Sequence, residues 1–473
     1  MLYLYWSRVL TRKIKFAALL SGVFALAGCA NMSAGNLFSH YSEQNKSVYQ
    51  AVQSGHYSQA QQMRSEVVAG EMLDNMERGR LAFLASDYSA SKSAFERSDV
   101  AVRQWQDQAK VSLSQTATSV GSLAVNDNLN NYTPADYELG FLHLYLGLNY
   151  LQQNSLEGAL VEMRRANQVQ EAARKAREEE LNAAQRDMQK NGMATNVGSV
   201  LANYPDAGQT LQAVQNGYLF FLSGLLYEAS RDLNGAYVDY RRALAVMPDN
   251  REVIERTIAV AKKLAMREDL RQLEKRYGER DLTLGSEEGC IIVIEEQGVV
   301  EALQGWRIDL PVYDSRGVGA LYSLALPYYA KQSRASFSPL RLNQQALTTH
   351  SLADVNQMAR YDLGERLPSM VIRQALRVVA KDQLRKEAAK GDDVGNLLFN
   401  VWNALTEQPD TRSWQTLPAT INTASAVVKA GEQVMTSTNQ DYVFNVPVGQ
   451  TTLVWISRQG DNQTIWHKQL GRL

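Results

Sequence analysis

Apolar residues change their rhythm once along this chain, near residue 285. Before that point they recur at helical spacing and are broken by short polar turns, the pattern of paired antiparallel helices. Beyond it lie seven of the ten prolines and most of the alternating Val, Ile, Thr and Tyr runs. This pattern predicts strands at Gly289 to Glu295, Arg307 to Tyr313, Leu321 to Leu326, Thr420 to Val428, Tyr442 to Val446, Thr451 to Ser457 and Gln463 to Gln469. Helices are expected at Leu352 to Leu363, Ser369 to Lys390 and Val394 to Leu405. The predicted fold class is therefore α+β overall: an N-terminal all-α solenoid at 45–284, then an α+β domain at 285–473 whose antiparallel sheet ends in a meander.

The helical part repeats. Ser223-Gly224-x2-Tyr227, Ala236-x3-Tyr240-x2-Ala243 and Pro248 fall within one 34-residue span from Gly217 to Asn250. This resembles a tetratricopeptide repeat, in which two helices need Gly or Ala where their backbones approach and an aromatic plug where they splay. A second copy runs from Gly140 to about Ala173, with Leu146-Gly147-x2-Tyr150 and Ala159-x3-Met163-x2-Ala166; methionine stands in for the plug. Two weaker copies centre on Gly55 to Ala60 and Ser86 to Ser91, the latter with Gly79 and Phe95 in step. Two inserts interrupt the series. Residues 108–136 are rich in Ser, Thr and Asn; residues 171–208 open with a charged continuation of the preceding helix and end in a Gly/Asn/Pro stretch. Arg251 to Tyr277 reads as one amphipathic helix closing the solenoid.

The N-terminus carries an address. Arg8, Arg12, Lys13 and Lys15 precede a 13-residue apolar run, Phe16 to Gly28, that closes on Leu26-Ala27-Gly28-Cys29. This resembles a bacterial lipoprotein signal, too short to span a bilayer comfortably. The resemblance implies cleavage after residue 28, acylation (palmitate included) of Cys29, and a lipidated linker at 29–44. Ala30 after the cysteine implies the outer membrane, with the body facing the periplasm. Removing the signal takes the formal charge from −1 to −5, which gives no electrostatic case for nucleic acid. Acyl chains would be the membrane attachment. Cys290, in Cys290-Ile291-Ile292-Val293-Ile294, reads as a buried, inert thiol.

Chemistry is sparse. His40, His56, His143, His350 and His467 are scattered, with no i, i+4 pair and no cysteine pair, so neither a metal site nor a cofactor is expected. No Gly-x-Ser-x-Gly elbow or phosphate-cradling Gly-Lys-Ser/Thr loop occurs, and no catalytic residue is assigned. Glu295 and Glu296 are neighbours in a predicted strand, so their side chains point to opposite faces. Glu162 lies one helical turn from Arg165, which favours a structural ion pair.

What remains is a surface. The first helices of the repeats would line a concave face with Phe141, Leu144, Leu148, Tyr218, Phe221 and Leu225, unusually apolar for an open groove. Either a partner protein segment fills it, or the chain's own inserts and second domain do.

The mature chain is also similar to a family of Gram-negative tetratricopeptide lipoproteins, through Leu148-Asn149-Tyr150-Leu151, Val161 to Asn167 and Asp410-Thr411-Arg412-Ser413-Trp414-Gln415-Thr416-Leu417-Pro418. The resemblance implies fold, address and a part in envelope or peptidoglycan assembly; it implies no activity. The expected function is a lipid-tethered scaffold for periplasmic or outer-membrane proteins. The alternative is an envelope protein that binds or turns over a glycan or peptide where the two halves meet.

Overall fold

A computed structural model describes residues 39–64, 69–112, 132–190, 213–313, 319–330, 335–367, 370, 408–438 and 440–473. The signal, Cys29, most of the linker, residues 113–131 and 191–208 of the two inserts, and nearly all of the helices expected at Ser369 to Lys390 and Val394 to Leu405 lie outside them. After a short α1 (Tyr41–Gln44), ten helices form five consecutive hairpins: α2 (Lys46–Gln53) with α3 (Tyr57–Met63), α4 (Glu71–Leu84) with α5 (Tyr88–Ser112), and α6 (Asp136–Gln152) with α7 (Leu156–Lys190). The last two are α8 (Gly217–Ala229) with α9 (Leu233–Val246), and α10 (Arg251–Lys263) with α11 (Arg267–Tyr277).

All five hairpins turn in the same way. The second residue past each first helix is left-handed: Gly55 (φ 77°), Ser86 (63°), Asn154 (61°), Arg231 (70°) and Ala265 (53°). Each turn satisfies the last helical carbonyls through the same two backbone bonds, as in Arg231 N to Glu228 O and Asp232 N to Tyr227 O, both 3.0 Å. Only the first turn uses glycine; in the others the paired bonds offset the cost of the left-handed conformation. The last turn corrects the expectation of one closing helix at Arg251 to Tyr277. Ala265 ends α10, and Glu268 and Asp269 favour a new helix start in α11.

The repeat's small-residue and plug positions meet in three hairpins. A Cβ on Gly79 would lie 2.6 Å from the Phe95 ring, one on Gly147 2.4 Å from Met163 Cε, and one on Gly224 2.5 Å from the Tyr240 ring. At Gly79 and Gly224 the neighbour is a rigid ring, so glycine is what lets these helix pairs approach so closely; at Gly147 it is the flexible end of Met163. At the same register the first hairpin has Val48 and Arg64 and the last has Ile258 and Glu274, so the end hairpins do without the glycine–plug contact.

Among the described residues the strands form three sheets. Five make a central sheet in the order β11 (Asn462–Gly471), β10 (Thr451–Gln459), β1 (Glu288–Gln297), β7 (Thr420–Lys429), β6 (His350–Asp354). Four make a second sheet: β5 (Gln345–Ala346), β4 (Arg341–Leu342), β8 (Gly431–Ser437), β9 (Gln440–Val446). The hairpin of β2 (Gln304–Tyr313) and β3 (Gly319–Tyr328) stands apart.

Three expectations change here. The central sheet is mixed, because β1 pairs with β10 in parallel, from Cys290 opposite Thr451 to Gln297 opposite Arg458. The terminal strands do not form a meander: β8 and β9 leave for the second sheet, and β10 returns beside β1. Residues 352–354 belong to β6, and helix starts only at 355. There Asp354 accepts a bond from Gln357 N at 3.0 Å and acts as the cap.

The three layers explain why β1 reads as an unbroken apolar run. Cys290, Ile292 and Ile294 join the core that contains the helices, whereas Ile291 and Val293 join Met435, Phe444 and Val446 against the second sheet. The helical half and the central sheet thus share one hydrophobic core. The following acids obey the same alternation. Glu296 faces the helices and pairs with Arg80 at 2.5 Å; Glu295 faces the other way and pairs with Arg458 at 2.6 Å.

Candidate functional site: the two faces of the helical array

The face expected to form a partner groove is closed. Phe141, Leu144, Leu148, Tyr218, Phe221 and Leu225 are all 0 % exposed, in one cluster with Trp455, Leu453 and Ile292 of the sheet. The Trp455 indole N–H donates to Tyr218 Oη at 3.0 Å. Tyr145, one turn from Phe141, donates to Glu296 Oε1 at 3.0 Å. These six residues are therefore interior, which corrects their assignment to an open groove. Of the two fillings left open by the sequence, the structure has the chain's own.

The segment Asp410 to Pro418 lies across this inner face much as a bound peptide would. Trp414 is wholly buried, its ring centroid 5.7 Å from Phe95 and 6.0 Å from Tyr145. The helices hold the backbone of the segment by carboxylates. Glu138 of α6 accepts from Trp414 N at 2.7 Å, and Glu77 of α4 accepts from Gln415 N at 2.7 Å. Ser42 N donates to Thr411 Oγ1 and Arg80 Nε to Thr416 O. Burial pushes both carboxyls above the usual range, although Tyr132 and Ala135 N also donate to Glu138 and the Arg64 charge favours ionised Glu77. Sequence reading singled out this segment as a motif but gave it no location.

His143 is likewise tied down. Its Nδ1 is 2.8 Å from Glu162 Oε2, and Arg165 bridges Glu162 at 3.2 Å to Asp99 of α5 at 2.5 Å. The Glu162–Arg165 pair is the structural ion pair expected from their spacing; His143 and Asp99 extend it into a network that links the second and third hairpins. Cys290 is buried against Arg256, whose Nη2 is 3.9 Å from the sulfur, and burial pushes its thiol up. Beside it, where helices and sheet meet, a cavity of about 140 Å³ is lined by Phe221, Glu252, Glu255, Arg256 and Ser425 among others. Glu252 there holds His350 Nδ1 at 3.0 Å and Ser425 Oγ at 3.3 Å. No group of three or more His, Cys, Asp or Glu suited to a metal occurs among the described residues. None of the helices among them is long and apolar enough to cross a membrane.

Among the described residues nothing covers the outer face. Between α7 and α9 runs a cleft of about 780 Å³. One wall is the α7 stripe Arg164, Gln168, Glu171 and Lys175, spaced to share one helix face; the other includes Val238 and Arg242 of α9, with Tyr227 below. Asp239 anchors the floor, accepting from Ser223 Oγ at 2.6 Å and Asn167 Nδ2 at 2.9 Å. Val238 is 50 % exposed. Helix α7, about 50 Å long at 1.5 Å per residue, is much longer than the 14-residue α9. Beyond the charged continuation of the helix past residue 171, no local pattern marks this cleft.

No family model matches the sequence, and no curated protein matches it. Solved structures align with about half of the chain. MamA of AMB-1 is 12 % identical and covers 50 % of this chain and 87 % of its own, with a TM-score of 0.27. BtubC from P. vanneervenii is 12 % identical over 52 % and 80 %, with a TM-score of 0.25. The TPR2AB domain of yeast Sti1, solved as a pHSP90 complex, is 9 % identical over 49 % and 87 %, with a TM-score of 0.18. At such scores, the tetratricopeptide-like character of the helical half rests on its own turns and glycine contacts.

Proposed function

We propose that this protein is a non-enzymatic adaptor, tethered to the outer membrane through acylated Cys29, which holds periplasmic or outer-membrane proteins on the outer face of its helical hairpins during envelope or peptidoglycan assembly. The observation that carries the reading is the contrast between the faces. The inner face is filled by the chain's own sheet and by Asp410 to Pro418, while the outer face keeps a cleft of about 780 Å³ between α7 and α9. Its mixture of charged rims and exposed apolar side chains suits a protein surface. Tethering raises local concentration, so modest affinity suffices.

The test is crosslinked recovery from membranes, comparing wild type with Val238→Asp and Lys175→Glu, two exposed positions whose substitution leaves the core intact. The expected result is loss of specific partners in both variants. Unchanged recovery removes the cleft from the proposal. Labelling with a palmitate analogue, expected in wild type and lost in Cys29→Ala, tests the anchor separately.

The second reading places a glycan or peptide where the two halves meet. The described cavity there, at about 140 Å³, is smaller than the roughly 300–1,000 Å³ of ordinary ligand sites, which favours the adaptor.

A further inference from the structure

The central and second sheets end in four edge strands, β6, β11, β5 and β9, and three of them are protected. At β6, Asn250 Nδ2 donates to His350 O at 3.5 Å and Ser351 O at 2.8 Å, and Gly217 of α8 lies so close to Leu352 O that a Cβ would stand 2.6 Å from it. At β11, the Tyr442 hydroxyl is bonded at His467, to ring Nδ1 at 2.8 Å and to the backbone. Strand β5 has only two residues. These are the usual ways of blunting an edge. Strand β9 has none of them: it runs for seven residues, Gln440–Val446, with no proline, no lysine and no break in its register with β8.

The hydrogen bonds of β8 fix which groups of β9 face outward. Val434 of β8 receives Asn343 N on its carbonyl at 2.8 Å and gives its own N–H to Asn343 Oδ1 at 3.0 Å, both on the β4 side. Val443 stands opposite Val434, so this is a non-hydrogen-bonded pair, and Val443 turns its N–H and C=O away from β8. Asp441 and Asn445, two residues to either side, do the same. The side chains of all three are exposed, Val443 by 52 %. No hydrogen bond reaches their backbone groups from another element among the described residues.

This edge matches itself. With a two-fold axis at Val443, an antiparallel second copy sets Asp441 opposite Asn445, Val443 opposite Val443 and Asn445 opposite Asp441. No like charges meet, and two exposed valines cover one another. Each outward residue brings one N–H and one C=O, so the ladder closes with six hydrogen bonds, within the roughly 10 ± 5 of an ordinary protein interface.

We propose that two copies of this chain pair through β9, joining their second sheets into one eight-stranded sheet with Val443 on the two-fold axis. Such an interface uses the same edge on both copies and so closes on itself. It involves none of the residues of the α7–α9 cleft, so either proposal can fail without the other.

Sedimentation velocity of the full chain in detergent, over a concentration series, reads the pairing. A monomer–dimer equilibrium is expected. Asn445→Asp places carboxylates opposite one another twice per dimer and is expected to weaken it roughly fivefold or more, less so as salt rises. Asp441→Asn/Asn445→Asp exchanges the two side chains, restores the match and is expected to dimerise like wild type. Val443→Pro removes the central outward N–H and is expected to abolish the dimer; should it fail to fold, the conservative Asp441 and Asn445 variants decide alone. A monomer at every concentration overturns the proposal. So does a dimer indifferent to Asn445→Asp, or one that the exchanged pair does not restore.

Discussion

Arg80 and Glu296, 216 residues apart, form an ion pair at 2.5 Å with both side chains 0 % exposed. Tyr145 and Ser457 complete the carboxylate's hydrogen bonds, and the guanidinium stacks 4.4 Å from the Tyr145 ring centroid. Removing one partner strands a charge in the core. Glu296→Leu is therefore expected to cost roughly 3–5 kcal/mol, and Arg80→Met/Glu296→Leu to recover much of that loss. Denaturant unfolding of the two single variants and the double measures the difference.

Because that pair sits inside a core common to helices and sheet, the described halves should unfold together. Far-UV circular dichroism, dominated by the helices, and the fluorescence of buried Trp414 and Trp455 are expected to share one midpoint in urea. Two separated transitions would show that the halves are independent.

The glycine contacts predict unequal effects from identical substitutions. Alanine in a helix is favoured over glycine by about 1 kcal/mol, but at Gly224 the new methyl meets the rigid, buried ring of Tyr240. At Gly147 it meets the flexible end of Met163. Gly224→Ala is expected to destabilise by about 1–3 kcal/mol, whereas Gly147→Ala should be near neutral; thermal midpoints compare them. Tyr240→Ala, which empties the plug position, should cost roughly 3–5 kcal/mol by analogy with other buried aromatics.

His467 gives a pH dependence. Burial, and secondarily the neighbouring Lys468 charge, hold its pKa below the ordinary 6.5, with Tyr442 bonded to Nδ1 at 2.8 Å. The folded state thus favours neutral imidazole. Its contribution is fully present above pH 6.5 and is lost as pH falls through the lowered folded value. His467→Phe, against Phe444 and Tyr442, is expected to reduce the stability difference between pH 7.5 and pH 5.5, as read by urea midpoints. An unchanged difference would assign the pH effect to other groups.

Much of the helical array was legible because its determinants are local: Gly79, Gly147 and Gly224 announce close backbone approach, and Phe95, Met163 and Tyr240 follow at fixed offsets. The strands were legible from alternation, and the opposed directions of Glu295 and Glu296 from strand geometry alone. Partners were another matter. Nothing near Glu296 names Arg80, and nothing near Tyr218 names Trp455, because tertiary packing chose them. Asp410 to Pro418 has no periodicity, so its place across the helices was invisible. The apolar character of Phe141 and Phe221 was evident, but what covers them depends on β10 running parallel to β1, which no local pattern encodes. The outer cleft arises from the spacing of helices far apart in sequence, leaving Lys175 to look like any solvated surface charge.

The parallel pairing of β1 with β10 also constrains how the chain acquires its shape. Strand β1 is finished by residue 297, yet its neighbour begins at Thr451, so a ribosome must make more than 150 further residues before that ladder can close. Throughout that interval Tyr218, Phe221 and Leu148 lack the cover that Trp455 and Leu453 later supply. Long-range closure of this kind is slow and leaves sticky surface uncovered. A chain stopped short of residue 451 would be left with that surface permanently bare, making it a natural target for chaperones and proteases.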